Sequence, residues 1–231
     1  MSREDPQQIV VSTHFDDAAL SLAHVLQRAG SLATVVTVCG GAPPPGADVS
    51  DWDASAGFAS GVAAAGTRAL EDAAACAVTG ARPHPLNHPD SPYGPLPGSA
   101  VLCAEVGELL SDGCVLWLPA GFVNPDHAHV RRALLPLARR LPPERFGTYV
   151  DLPYAAADEL PQTRETHLSG TAFERKLAAL RCHASQVDPL RESWPDLLNR
   201  EGPLARERTE GAGAMQDTRR RDLPPAATHR E

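Results

Sequence analysis

Apolar positions along this chain follow two rhythms. Short β-branched runs, Ile9 to Val11 and Ala33 to Val38, are apolar at almost every position. Such runs read as strands covered on both faces, as in a parallel sheet. Between them Leu22, Val25, Leu26 and Ala29 recur at helical spacing, and Gly30 suits the position just past a helix end. The pattern predicts a strand at 8–13, a helix at 17–29 and a strand at 33–38, joined as a right-handed βαβ unit. Further strands are expected at 114–118 and 146–152, with a short one at 84–87. Helical patterns cover 61–78, 99–111, 171–185 and a short piece near 190–199. Another helix opens at Asn124-Pro125, an N-cap followed by proline at the first helical position, and carries Val130, Leu134, Leu137 and Leu141 on one face. The stretches 40–60, 88–97 and 153–170 lack periodicity and read as loops.

Strands alternating with helices predict an α/β fold: a Rossmann-like, mostly parallel sheet with helices on both faces. The expected organisation is one domain over 1–200. From 201 to 231 apolar residues are few, and Arg219-Arg220-Arg221 precedes Pro224-Pro225. That stretch is expected to be a disordered polar tail.

Composition narrows the functional classes. A hydrophobic content of 42% can fill a core of this size. The 21 basic and 29 acidic residues leave a net charge of −8, with no basic block in the body of the chain. Nucleic acid and membrane are therefore not expected partners. The polar N-terminus is not a signal peptide, and no apolar run would cross a bilayer, so the expected location is cytoplasmic. The five cysteines are scattered and include no C-x-x-C pair. They read as reduced core thiols, not as a disulfide frame or a cysteine-zinc site. A homo-oligomer is left open by the sequence.

The chemistry gathers where the first strand stops, at His14-Phe15-Asp16-Asp17. A strand-to-helix turn at the carboxyl edge of an open α/β sheet is where such folds place ligands. An imidazole and a carboxylate three positions apart can reach one divalent ion, which leaves the second carboxylate beside any water on that ion. Zinc suits mixed nitrogen and oxygen ligation with an open position, although iron or nickel could occupy the same donors. The alternative is plain capping of a helix by Asp16 and Asp17. His127 sits in the first turn of the helix after the fourth strand, at the same sheet edge as His14. A neutral, metal-bound imidazole tolerates that helix end; a surface histidine is the competing reading. Arg68 and Glu71 stand three apart on a helix and read as an intrahelical ion pair or as part of a site.

These residues together resemble the PIG-L/LmbE-like family of zinc-dependent N-deacetylases. The family's His-Pro-Asp-Asp-Glu is similar to His14-Phe15-Asp16-Asp17-Ala18, and its His-Pro-Asp-His to Asn124-Pro125-Asp126-His127. Its Arg-x-x-Glu helix is matched by Arg68 and Glu71. Its late Lys-x-x-Ala-x-x-x-His-x-Ser-Gln is matched by Lys176, Ala179, His183, Ser185 and Gln186. Asp151-Leu152-Pro153-Tyr154 looks like a further segment found in actinobacterial members, and the resemblance spans about 7–190.

The resemblance implies an LmbE-like fold and a Zn2+ cofactor held by His14, Asp17 and His127. It implies Asp16 as general base, Asn124 at the oxyanion side and Arg68 as a substrate contact. It also implies removal of an acyl group, most often acetyl, from an amine of a small polar substrate such as an amino sugar or a natural-product intermediate. Three positions depart from the pattern. Ala18 replaces a glutamate, Asn124 replaces the histidine credited with stabilising the oxyanion, and Phe122 stands near a tyrosine of some members. These departures keep open an altered member that binds its ligand or performs other C–N chemistry.

Overall fold

The computed structural model describes residues 5–154 and 163–211. Its centre is a seven-stranded sheet of order β3-β2-β1-β4-β5-β7-β6. The strands are β1 (Gln8–Ser12), β2 (Ala33–Thr37), β3 (Arg82–Pro85), β4 (Val115–Pro119), β5 (Phe146–Tyr149), β6 (Arg164–His167) and β7 (Arg206–Gly211). The first five run parallel, whereas β7 pairs antiparallel with both β5 and β6. The helices are α1 (Asp17–Ser21), α2 (Ala23–Ala29), α3 (Asp51–Ser55), α4 (Gly61–Thr79), α5 (Ser99–Gly107), α6 (Pro125–Ala138), α7 (Gly170–Cys182) and α8 (Ala184–Ser193).

Successive strand residues face opposite sides, and each side has its own helices. Ile9, Val11, Val36, Leu116 and Leu118 pack against Leu102 and Val106 of α5 and Val130, Leu134 and Leu137 of α6. Val10, Val35, Val115 and Trp117 pack against Ala18, Val25 and Leu26 and against Cys76 of α4. The continuous apolar runs of the strands follow from this double coverage. The strand order reverses between β1 and β4, so a crevice opens beyond their carboxyl ends. Among the described residues no helix is long and apolar enough to cross a membrane.

Several expectations are corrected. The helix expected at 17–29 is two helices, broken at Leu22 (φ −137°). The break frees the amides of Ala23 and His24, and both donate to the Glu207 carboxylate at 2.9 Å. Glu207 lies on β7, so the chain from 201 to 211 is not a disordered tail. Its charged residues conceal an inward-facing position: Glu207 is fully buried and accepts from Lys176 Nζ at 2.6 Å and from His24. The remainder of the expected tail, 212–231, lies outside the described residues.

The 40–60 segment contains α3, a helix too short for apolar periodicity but started by Ser50, whose side chain accepts from Asp53 N. The helix expected at 171–185 ends at Cys182. The next begins at Ala184, six residues earlier than expected, because Glu71 accepts both the amide and the hydroxyl of Ser185. Residues 155–162 of the expected 153–170 loop are outside the description, and 164–167 form β6.

Candidate metal centre and its pocket

Two loops meet in the crevice beyond β1 and β4. The first follows β1. Its turn is held by Ser12 Oγ, which donates to His14 O and accepts from Ala18 N. The His14 amide donates to Asp17 Oδ2 at 2.7 Å, which turns that carboxylate back under the imidazole. Asp16 occupies the N-cap position of α1, yet its side chain makes no capping bond. Its Oδ1 instead accepts from Gln186 Nε2 of α8 at 2.7 Å. Simple helix capping therefore does not account for Asp16.

The second loop joins β4 to α6. Gly121 is left-handed (φ 76°), and a Cβ there would stand 2.9 Å from the Ala128 backbone. Val123 is also left-handed (φ 61°), an uncommon state for a β-branched residue, in a tight turn closed by Asn124 N donating to Phe122 O. Asp151, just beyond β5 and fully buried, accepts from the amides of Gly121 and Phe122 at 2.6 and 3.2 Å. Its other oxygen lies 2.9 Å from His127 Nδ1. Asp151 thus ties the loop and the histidine together.

The structure brings His14, Asp17 and His127 into one triangle. His127 Nε2 stands 3.2 Å from His14 Nδ1 and 3.2 Å from Asp17 Oδ2, and the third side is 3.5 Å. A tetrahedral zinc with bonds of ~2.0–2.1 Å needs donors ~3.3–3.4 Å apart. The donor types and spacings fit a divalent cation. The electrostatics agree. Burial opposes a charge on His127, but Asp17 and Asp151 override it and raise its pKa to about 9. Burial likewise opposes a charge on Asp17, yet the two histidines hold its carboxyl far below the ordinary range. Asp16 moves the other way: burial and the neighbouring Asp17 charge push it up to about 7. Two adjacent carboxyls driven apart in this way are suited to different roles.

A cavity of about 380 Å³ opens above the triangle, with His14, Asp16, Trp52, Tyr93, Tyr154 and Trp194 among its walls. Arg68 also lines it, but does not pair with Glu71. Its guanidinium stands 2.6 Å from Asp53 of α3 and 5.6 Å above the Phe58 ring. Tyr93 donates to the same Asp53. This network holds α3 as a wall. His129 is half-buried, with Nε2 2.9 Å from Pro97 O.

No family model and no curated protein sequence matches the chain. Solved structures do match. The A40926 pseudoaglycone deacetylase Dbv21 superposes with a TM-score of 0.70 at 26% identity, over 89% of this chain and 96% of that one. A triple mutant of a deacetylase of the teicoplanin biosynthetic pathway gives 0.70 at 25% identity, over 89% and 97%. The N,N'-diacetylchitobiose deacetylase of Pyrococcus horikoshii shares the fold, with a TM-score of 0.60 at 16% identity over 96% and 88%. The chain shares the fold of these deacetylases, in keeping with its resemblance to the PIG-L/LmbE-like family.

Its departures from the PIG-L/LmbE-like pattern now have a structural setting. Asn124 caps α6, its Oδ1 accepting from Asp126 N at 2.9 Å. Its side chain lies next to the Tyr154 hydroxyl. Burial, with Asp16 and Asp17 nearby, keeps that hydroxyl protonated well above the ordinary range. The Tyr154 ring stands edge-on to His127, with centroids 5.6 Å apart. A phenolic donor therefore borders the centre although Phe122 offers none. Sequence reasoning missed the roles of Tyr154 and Asp151. Their segment was legible as a motif, but nothing local shows that the chain returns them to the crevice.

Proposed function

We propose that this protein is a hydrolase that removes an acetyl group from an amine of a sugar-bearing small molecule, with zinc held by His14, Asp17 and His127. The observation that supports this most is the triangle of donors His14, Asp17 and His127, of which His14 lines the cavity, with Asp16 in the cavity wall beside it and hydrogen-bonded to Gln186. Bound zinc would supply Lewis acidity and a water acidic enough to attack near neutrality.

The protein's own groups have distinct tasks in this reading. Asp16 accepts the proton of the attacking water and returns it to the leaving nitrogen as the C–N bond breaks, giving acetate and a free amine. Gln186 orients Asp16. Asp151 fixes the His127 ring and leaves Nε2 free as a donor. Tyr154 donates to the carbonyl oxygen as it becomes anionic, and Asn124 holds the tyrosine. Arg68 contributes to substrate binding by holding α3 through Asp53. Trp52, Tyr93 and Trp194 offer flat apolar faces on which sugar or aryl rings stack. Two of the similar structures are deacetylases acting in teicoplanin and A40926 chemistry, which favours an amino sugar carried on a larger scaffold.

The test is a panel of N-acetylated amino sugars and their aryl glycosides, incubated with zinc-loaded protein and read by mass spectrometry. Loss of one acetyl unit with release of acetate is the expected result. An unchanged panel, with metal bound, would contradict the reading.

A further inference from the structure

His14 faces two ways. Its Nδ1 points at Asp17 and His127, while its Nε2 stands 3.3 Å from Asp90 Oδ1 and 3.5 Å from Asp126 Oδ2. Both distances exceed the ~2.7–3.2 Å usual for an N–H···O bond. Cys39 closes the third side. Donor atoms of His14, Cys39 and Asp90 all lie within 4.8 Å of one another, a second grouping of metal-ligand type that shares only His14 with the first.

The fold makes this arrangement firm. Cys39 follows β2, and its amide donates to Thr13 O at 2.9 Å, which pins it beside the end of β1. The next residue is Gly40, where a Cβ would meet Pro85 at 2.6 Å, so the loop is pressed against the end of β3. Asp90 comes from the loop after β3. The first triangle therefore uses the crevice between β1 and β4, and the second grouping uses the ends of β1, β2 and β3. Cys39 is only 6% exposed, yet it lines the cavity.

We propose that Cys39, Asp90 and Nε2 of His14 form a second cation site, selective for thiophilic divalent ions, that competes with the first site for His14. A thiolate, an imidazole and a carboxylate suit zinc in excess or cadmium. Competition follows from the imidazole itself. A neutral ring has one lone pair and one N–H. A cation on Nε2 requires the proton on Nδ1, where it points at Asp17 and His127 and removes one of their three donors. Cys39 releases its thiol proton to solvent as the metal–sulfur bond forms. Excess thiophilic metal therefore inhibits the protein by withdrawing His14 from the first triangle.

The inference goes beyond the proposed activity, and its test requires no turnover. Zinc-loaded full-length protein is titrated with cadmium while thiolate-to-cadmium charge-transfer absorption and released zinc are recorded. The band is expected to grow as zinc leaves, one for one. Cys39→Ser abolishes the band, and Asp90→Asn, at a half-buried position that should fold normally, weakens cadmium binding at least tenfold. A band that persists in Cys39→Ser, or is unchanged in Asp90→Asn, assigns the signal to another thiol and overturns the site. A Cys39-dependent band with zinc fully retained overturns the sharing of His14. The band is read on folded protein, so its failure is distinct from failure of the deacetylase reading.

Discussion

Asp151 Oδ1 lies 2.9 Å from His127 Nδ1, and its partner oxygen accepts the amides of Gly121 and Phe122 from the loop that carries His127. One carboxylate thus sets both the ring and the backbone of a histidine that no neighbour in sequence could orient. Asp151→Asn should weaken zinc affinity ~10–100-fold, the usual effect of losing a carboxylate behind a metal-bound histidine. Competition against a chromophoric chelator measures it. Unchanged affinity would remove Asp151 from the account.

Asp16→Asn keeps the size of the side chain and removes its basicity. The variant should bind zinc as the wild type does and lose ~10²–10⁴-fold in rate. Metal content and acetate release, measured on the same preparation, decide the matter. Zinc loss would instead make Asp16 a ligand.

Tyr154→Phe removes one hydroxyl at the cavity wall. A rate loss of ~10²–10³ with KM little changed is expected of an oxyanion donor. A rise in KM alone would assign Tyr154 to ground-state binding. Asn124→Ala should lose ~0.5–2 kcal/mol of stability through the α6 cap, in addition to part of the Tyr154 effect.

Much of this was legible in the sequence and some was not, for definite reasons. The β-branched runs reveal strands because both faces of the parallel sheet are covered, so periodicity and burial coincide. The meeting of His14, Asp17 and His127 is legible because His14 and Asp17 directly follow β1 and His127 opens the helix after β4, at the same sheet edge. Glu207 is not, because Arg206-Glu207-Arg208 resembles a solvated run, and only the tertiary partners Lys176 and His24 make its burial tolerable. Arg68 and Glu71 have the spacing of an ion pair, but tertiary groups capture each: Asp53 takes the first and Ser185 the second. Cys39 was read as a core thiol because its sequence does not show that the loop after β2 turns its side chain into the cavity.

The β7 clasp makes a stability prediction. Burial alone would raise the Glu207 pKa, but Lys176 and His24 overcome it and hold the carboxyl at about 2. A depressed carboxyl adds stability that is fully present above its unfolded value of ~4.3 and is lost as pH falls toward the folded value. Unfolding free energy should therefore fall between about pH 4.3 and pH 2, and Glu207→Gln should flatten that slope. At neutral pH the same variant leaves Lys176 buried and unpaired, a loss of ~3–5 kcal/mol. Urea melts at several pH values check both. A chain ending at 201 should be more severely destabilised, and an unaltered melt would show that β7 is dispensable.

Zinc-dependent acetate release is the most direct test of the central claim. The protein is stripped with chelator, assayed on an N-acetyl amino sugar glycoside, reloaded with one equivalent of zinc and assayed again, beside His127→Ala. The account predicts no release from the stripped protein, recovery on reloading, and neither stoichiometric zinc nor release in His127→Ala. Full activity in the stripped protein, or in His127→Ala, would contradict it.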